Sequence, residues 1–419
     1  MNVKNLVNQK LEDVSNIPNV NRTLLKEKIF KLFNDAKNTL EDGNLRGCSF
    51  FLSKIHFSSL PRPNQIDYLL LKLELSQIQG DFFKAIKYGK KALSLIKKFK
   101  DEQNYAQVLL KLGDNHRQIE KFFLAIKYYR RVISLNARLK TPIFKRYCVD
   151  AYLGEGMCLR GLGKWDDAQK LFKICLKYYE KNKDFEGQAY TLWAIGTTFR
   201  FSGQIAFAEY FLKKSLIFYK KIKDDNGLAY ARCGLGGTFR MKGFPQESLA
   251  LYSQAYRYFQ SQHDEFGLAY SSCGQGNAFR MMGNLNRAVS CMNRAIKKYS
   301  FLNQTGPLAF VLWSRAQLNI SRKFFLQARK DLKKSEVLFK KCSDKRGLVY
   351  CLLGFGELNL NKNFSSIHYF KKAFNQSKKL KLQLEAGHAA SRFNKNISQK
   401  IYSSCGVSVK SYFHYKGFP

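Results

Sequence analysis

Apolar residues recur along this chain at helical spacing, in a unit of about forty residues. In the stretch 225–264, Leu228, Leu235 and Phe239 mark the buried face of one amphipathic helix, and Gly243 marks a tight turn. A second helix follows, with apolar residues at the same spacing: Leu249, Tyr252, Ala255 and Tyr256. The unit therefore predicts a pair of helices joined by a short turn.

The same pattern repeats on both sides of this unit, in 145–184, 185–224, 265–304 and 305–344. A regular period of this length is typical of repeat architectures. The turn between the two helices carries a glycine at one fixed position: Gly163, Gly203, Gly243 and Gly283. Acidic or small residues precede a glycine at each joint between units, which predicts a helix cap followed by a helix start.

The periodicity predicts one continuous helical solenoid of about nine helix pairs over residues 22–402, clearest in 145–344. Residues 1–21 are polar and predict an N-terminal arm or cap, and 403–419 predict a C-terminal tail. Early pairs are expected to turn at Gly43, at Gly80 and near Glu120. A last, solvating helix is expected to begin at Gly387.

The chain carries 72 lysines and arginines against 31 aspartates and glutamates, a formal net charge of +41. Such an excess favours polyanionic partners: nucleic acid, an anionic membrane surface or an acidic protein. Many lysines stand in pairs on the second helix of a unit, such as Lys220 and Lys221, where they can simply solvate its outer face. The charge alone therefore leaves the partner open.

The sequence offers little that indicates catalysis. The ten cysteines are scattered without a CxxC pair, and several take positions that hold alanine in other repeats, as Cys175 does against Ala255. The six histidines form no spaced metal pair, and no phosphate-binding loop is present. We expect a non-enzymatic protein without cofactor or metal. With no signal peptide or long apolar run visible, we also expect it to be soluble and cytoplasmic.

The recurring positions resemble the tetratricopeptide repeat. Leu235, Gly236 and Phe239 on the first helix fit its pattern, as do Tyr252 and Ala255 on the second. The resemblance covers most of residues 64–383. It implies an all-α fold, a solenoid of helical hairpins wound into a right-handed superhelix.

The forty-residue period is similar to that of a narrower group, the spindle-orientation adaptors with Leu-Gly-Asn repeats. Gly276, Asn277 and Phe279 match that group's unit, whereas Thr197 and Gly237 replace the asparagine in neighbouring units. Proteins of this group bind extended peptides along the inner groove. The resemblance implies such a groove here.

In that family the concave surface is lined by a stripe of the first helix, with residues at i, i+3, i+7 and i+10. In successive units the stripe reads Tyr190, Trp193, Thr197, Arg200; Tyr230, Cys233, Gly237, Arg240; Tyr270, Cys273, Asn277, Arg280; and Phe310, Trp313, Gln317, Ile320. The arginine position extends backward through Arg160 and Arg117. The small residues between Trp193 and Trp313 are expected to form a depression in the groove floor.

A row of arginines suits an acidic ligand, because the guanidinium fork binds carboxylate or phosphate through two hydrogen bonds. The other interpretation is that each arginine pairs with an acid of its own scaffold, such as Asp114 or Asp150. The predicted ligand-binding residues are Arg117, Arg160, Arg200, Arg240, Arg280, Tyr190, Tyr230, Tyr270, Trp193, Trp313 and Asn277.

The sequence thus favours a scaffold or adaptor that binds an acidic peptide or protein segment in a basic, aromatic-lined groove. The alternative is RNA or single-stranded nucleic acid in the same groove, with bases stacked on the aromatic residues. An anionic membrane surface is a third partner to consider. Exposed terminal repeats would also allow self-association.

Overall fold

The computed structural model describes residues 19–97, 101–360 and 363–407. Across these ranges the chain is α-helical, with one short 3-10 helix and no strand, so the predicted all-α class is confirmed. Most of the predicted arm (1–21) and tail (403–419) lies outside these ranges. The chain divides into two compact units, residues 1–118 and 119–419.

Over its described residues, 19–97 and 101–118, the first unit contains five helices and the 3-10 helix at Phe57–Ser59. One of its core clusters is formed by α1 to α3, with Ala36, Leu52 and Leu75 buried. The expected turns at Gly43 and Gly80 are confirmed, since both glycines adopt positive φ, 73° and 75°. Its helices are α1 (Asn19–Glu41), α2 (Leu45–Ser53), α3 (Arg62–Ile78), α4 (Phe82–Ile96) and α5 (Glu102–Gln118).

The second unit is a series of helical hairpins in which each helix packs on the next. Small residues lie where the two helices of a hairpin approach, as Gly196 does against Ala208, and aromatic side chains lie between hairpins, as Tyr219 does against Gly227. Its helices are α6 (Phe122–Leu139), α7 (Pro142–Gly161), α8 (Trp165–Lys181), α9 (Phe185–Ser202), α10 (Ile205–Lys221), α11 (Asp225–Lys242), α12 (Pro245–Ser261), α13 (Glu265–Met281), α14 (Leu285–Phe301), α15 (Thr305–Ser321), α16 (Phe325–Lys341), α17 (Lys345–Leu358), α18 (Asn363–Lys379), α19 (Gln383–Ala390) and α20 (Lys395–Ser404).

Joints between hairpins use an aspartate and a glycine three residues apart. The Asp224 side chain accepts a hydrogen bond from the Gly227 backbone N–H at 2.8 Å and so caps α11. A Cβ at Gly227 would lie 2.1 Å from the Tyr219 ring, which explains the glycine. The arrangement recurs at Asp184/Gly187, Asp264/Gly267 and Asp344/Gly347. The predicted cap and helix start are confirmed.

Late helices of the second unit pack on the turns of much earlier hairpins. The Trp165 indole N–H donates to the Leu380 carbonyl at 3.2 Å, across 215 residues of sequence. The backbone N–H of Ile205 donates to the Cys405 carbonyl at 3.1 Å. The Gly306 backbone N–H likewise donates to the Glu120 carboxylate at 3.1 Å. Within this unit the solenoid therefore coils tightly enough for successive turns to touch.

The expectation of a solvating helix from Gly387 is wrong. Gly387 lies in the middle of α19, and every residue from 384 to 390 is buried. The reason is tertiary: α19 is packed between α18 and α20, and Leu384 also contacts the turn at Gly203. In the described portion of the chain, no helix is long and apolar enough to cross a membrane.

Candidate functional site

The arginine row of the second unit is positioned by the helix ends. Each arginine lies three residues before a glycine in the left-handed conformation, and its carbonyl accepts that glycine's N–H. For Arg200 and Gly203 this bond is 3.3 Å, and φ of Gly203 is 85°. The identical cap places the four side chains alike on their hairpins: Arg160 on α7, Arg200 on α9, Arg240 on α11 and Arg280 on α13.

Two of these arginines reach to the next repeat. Arg160 donates from Nη1 to the hydroxyl of Thr197 at 2.6 Å. Arg200 lies over Gly237, where a Cβ would be only 2.3 Å from its Nη1 atom. At the i+7 position of the stripe, Thr197 and Gly237 therefore each contact the arginine of the preceding repeat. Because the Arg200 guanidinium occupies this space, the expected depression at Gly237 is filled.

The middle of the row is strongly desolvated. Arg200 is 8% exposed and Arg240 is 3% exposed. Burial and the neighbouring Arg240 lower the pKa of Arg280 to about 10, while Glu357 acts in the opposite direction. With this pKa, Arg280 still carries its charge at neutral pH. The row is therefore a site of concentrated positive charge in a poorly hydrated environment.

The structure also shows where the two acids considered as scaffold partners lie. In the first unit, Arg117 approaches Asp114 with 3.4 Å between Nη2 and Oδ1. In the second unit, Asp150 accepts hydrogen bonds from Arg146 at 3.2 Å and from the Tyr179 hydroxyl at 2.9 Å. Scaffold pairing thus accounts for one contact of Arg117, whereas Arg146 and Tyr179, which bond to Asp150, lie outside the row.

The tyrosines of the stripe differ in their contacts. Tyr190 packs on Trp193 with 5.4 Å between ring centres, and both are half-buried. The hydroxyl of Tyr230 donates to Asp264 at 2.7 Å, and burial raises the pKa of Tyr230. The hydroxyl of Tyr270 accepts from Arg200 at 3.4 Å. Tyr270 thus belongs to the arginine row, whereas Tyr230 supports a helix cap.

Two further predicted residues are buried within the scaffold. Trp313 is 1% exposed, stacks on Tyr350 at 5.0 Å, and donates from Nε1 to the Tyr350 carbonyl at 2.6 Å. Asn277 is 1% exposed and donates from Nδ2 to Ser314 at 3.3 Å. Burial also raises the pKa of the nearby Cys273 thiol, to about 12. These side chains shape the lining through packing.

Two residues beside the row, Phe201 and Arg346, were not predicted from the sequence. The Phe201 ring is contacted by Arg200, at 4.8 Å from Cζ to the ring centre, and by Arg346 of α17, at 4.9 Å. Arg346 stands where other joints have Glu186, Asn226 or Phe266. This departure from the repeat pattern is visible in the sequence, but only the folded structure brings Arg346 into contact with Phe201.

A model of the tetratricopeptide repeat matches residues 150–182, which run from the middle of α7 to the end of α8. The chain contains a tetratricopeptide repeat. The remaining hairpins share its helical-hairpin architecture. No curated protein matches the chain significantly in sequence.

Solved structures agree on the fold. A Rap protein complexed with competence and sporulation factor has a TM-score of 0.61 at 13% identity, covering 87% of this chain and 99% of that one. The Rap conjugation gene regulator of plasmid pLS20, in complex with a peptide, gives 0.60 at 10% identity, covering 75% and 96%. Aspartyl phosphate phosphatase F from Bacillus subtilis gives 0.53 at 13% identity, covering 74% and 93%. The narrower similarity to spindle-orientation adaptors stays a prediction.

Proposed function

We propose that this chain is a non-enzymatic scaffold whose arginine row binds an acidic segment of a partner protein. The observation that carries the proposal is the row itself: buried Arg200 and Arg240, with Arg280 beside them at a lowered pKa. Repulsion between adjacent guanidinium groups in a poorly hydrated site raises the energy of the ligand-free protein. Carboxylates of a bound segment would offset that cost and accept the arginine hydrogen bonds.

The similar structures support a peptide or protein ligand. One Rap protein was solved with competence and sporulation factor, and the pLS20 regulator with a peptide. At this level of identity the likeness is one of fold, and the acidic character of the ligand rests on this chain's own arginines. On the same reasoning the ligand would lie along the row from Arg160 to Arg280, against the Tyr190–Trp193 pair. The assignment of Arg117, which lies in the first unit, to a ligand site stays a prediction from the sequence.

Binding is favoured over catalysis by the chemistry of the lining. The thiols nearest the row, Cys233 and Cys273, are buried, and burial raises the pKa of each. A thiol with a raised pKa is a poor nucleophile at neutral pH. One similar structure is of an aspartyl phosphate phosphatase. We therefore include phosphatase activity among the outcomes to be measured.

An acidic protein segment is also favoured over nucleic acid. Binding of single strands relies on exposed aromatic rings on which bases stack. Of the predicted aromatic residues, Trp313 is buried, and the hydroxyl of Tyr230 is hydrogen-bonded to Asp264. Continuous base stacking along the stripe would need both. The arginines, in contrast, recur in four consecutive hairpins of the second unit.

The test compares Arg200→Gln/Arg240→Gln with the matched control Arg257→Gln/Arg329→Gln, which removes two charges from exposed positions. Tagged proteins are used to capture partners from lysate, with and without nuclease, and melting temperatures verify that each variant is folded. We expect an acidic protein to be captured by the wild type and the control but not by the row variant, with or without nuclease. Equal capture by both variants would contradict the proposal, as would recovery that nuclease abolishes. Hydrolysis of an acyl phosphate by the wild-type protein on its own would contradict the proposal that the scaffold is non-enzymatic.

A further inference from the structure

One hairpin turn of the second unit departs from the repeat in composition. Residues 322–326, which join α15 to α16 and begin α16, read Arg-Lys-Phe-Phe-Leu. At the same positions the three preceding hairpins have Ser-Gly-Gln-Ile-Ala, Lys-Gly-Phe-Pro-Gln and Met-Gly-Asn-Leu-Asn. Two cations and three large apolar side chains therefore stand together in this turn only. We call residues 322–326 the α16 tip.

The apolar side chains of the α16 tip project into solvent. Phe324, Phe325 and Leu326 are 51%, 46% and 71% exposed. Arg322 lies against the Phe324 ring, with 4.5 Å from Cζ to the ring centre. Val337, 64% exposed, lies eleven residues after Leu326 and so on the same side of α16. Adjacent exposed apolar side chains of this size are typical of a surface that contacts a partner or a membrane.

The outer face of α16 beside the tip is strongly basic. Residues 321–334 contain six cations and one carboxylate, Asp331. Asp331 is 3% exposed and accepts hydrogen bonds from Nε and Nη2 of Arg315, at 2.9 and 2.7 Å, so it is already neutralised by α15. The cations are Arg322 and Lys323 in the tip and, exposed on the helix, Arg329, Lys330, Lys333 and Lys334.

The other carboxylates of this region do not offset the charge. α16 packs between α15, which has no acidic residue, and α17, whose one acidic residue is Glu357. Glu357 is bound by the guanidinium of Arg392 at 2.6 Å, and Glu336 pairs with a lysine one turn further along α16, also at 2.6 Å. Asp344, with Glu120 beside it, lies beyond the far end of α16. That is about 25 Å from the tip, or roughly two Debye lengths.

We propose that the α16 tip and the basic outer face of α16 bind the surface of an anionic lipid bilayer. Negative headgroups would attract the lysines, whose aliphatic stems can lie along apolar surface while their ammonium groups stay among the headgroups. Phe325 and Leu326 would enter the boundary of the acyl chains, which receives projecting side chains without a preformed pocket. A protein partner would need a groove shaped for the tip, and nucleic acid would use the charge but gain nothing from Leu326. The inference does not depend on the arginine row.

The test is co-sedimentation of the full-length protein with vesicles of phosphatidylcholine alone, or of equal parts phosphatidylcholine and phosphatidylserine, at physiological ionic strength. We expect binding to the anionic vesicles only. Each lysine near such a surface contributes about fivefold in affinity, so Lys330→Ala/Lys333→Ala should bind roughly twentyfold more weakly. The matched control, Lys170→Ala/Lys173→Ala, removes two exposed charges from the same positions of α8 and should bind like the wild type. Failure of the wild type to bind anionic vesicles, or equal binding by the two double variants, would overturn the proposal.

The apolar contribution separates a bilayer from an aqueous polyanion. Leu326→Ser is compared with Ile217→Ser, which removes a similarly exposed apolar side chain (65%) from α10. We expect Leu326→Ser alone to weaken vesicle binding, by about tenfold, because its side chain leaves water in the bound state. Phe325→Trp adds an indole at the tip, and brominated acyl chains should quench the fluorescence that it adds to that of the wild type.

Unchanged binding by Leu326→Ser, or an added indole that is not quenched, would show that charge alone is recognised, as by nucleic acid or an acidic protein. Either result would overturn the bilayer proposal. Melting temperatures verify that every variant is folded. The capture experiment for the proposed function is independent of these results, because it changes Arg200 and Arg240.

Discussion

Substitution of Gly237 by alanine tests whether Arg200 depends on the space above that residue. The new Cβ would lie 2.3 Å from Arg200 Nη1 but 3.1 Å from the Tyr252 hydroxyl, so the guanidinium must move while the scaffold remains. Replacing glycine within a helix gains about 1 kcal/mol of helix propensity. Displacing the guanidinium from Phe201 costs about the same through the lost cation–π contact. We therefore expect a net change within about 1 kcal/mol.

Gly274→Ala provides the matched comparison. Its Cβ would lie 2.2 Å from ring atoms of Tyr252, which is 2% exposed and cannot swing into solvent. Overpacking of this kind costs about 1–3 kcal/mol. We expect a clear loss of stability in this variant only. Acidic-ligand binding, in contrast, should fall several-fold in Gly237→Ala, because Arg200 no longer occupies its position in the row.

Urea denaturation followed by circular dichroism measures the first effect, and titration with the partner captured by the wild type measures the second. If Gly237→Ala is as destabilised as Gly274→Ala, the Arg200 side chain cannot move away from the new Cβ, and the steric argument is wrong. If Gly237→Ala is stable and binds the ligand like the wild type, the position of Arg200 does not determine binding.

Two other predictions concern the contacts that close the second unit. Burial raises the pKa of Glu120 from 4.5 to about 7, although Gly306 N–H opposes the shift and Asp344 adds to it. The folded state then holds the proton more tightly than the unfolded state, so this contribution is present below pH 4.5 and is lost as pH rises through 7, by up to about 3 kcal/mol. In thermal melts, Glu120→Gln should therefore raise the melting temperature above that of the wild type more at pH 8 than at pH 4.5. An equal change at both pH values would refute the assignment. Arg346→Ala should lower the free energy of unfolding by about 3–5 kcal/mol, because it leaves fully buried Glu385 without its cation. In urea titrations, adding Glu385→Gln to this variant should restore part of the lost stability. No recovery would show that the pair is not coupled.

Much of the fold could be predicted from sequence because it is encoded locally. An aspartate three residues before a glycine specifies a capped helix start, and a glycine such as Gly243, at φ 90°, specifies the turn within a hairpin. These signals recur with the repeat, so the hairpins and the common position of the arginines followed from spacing alone. The closing contacts of Trp165 and Glu120 could not be predicted, since they join segments about 200 residues apart.

The sequence by itself therefore determined the helical hairpins, the caps and the row of arginines, because each depends on residues within one repeat or its neighbour. Only the tertiary structure decided which of those side chains are buried, as Trp313 is, and which face one another. Arg346 reaches Phe201 through the coiling of successive hairpins, which sums small rotations that no single repeat reveals. The same coiling buries Gly387 and its helix, although their local sequence predicts an exposed end.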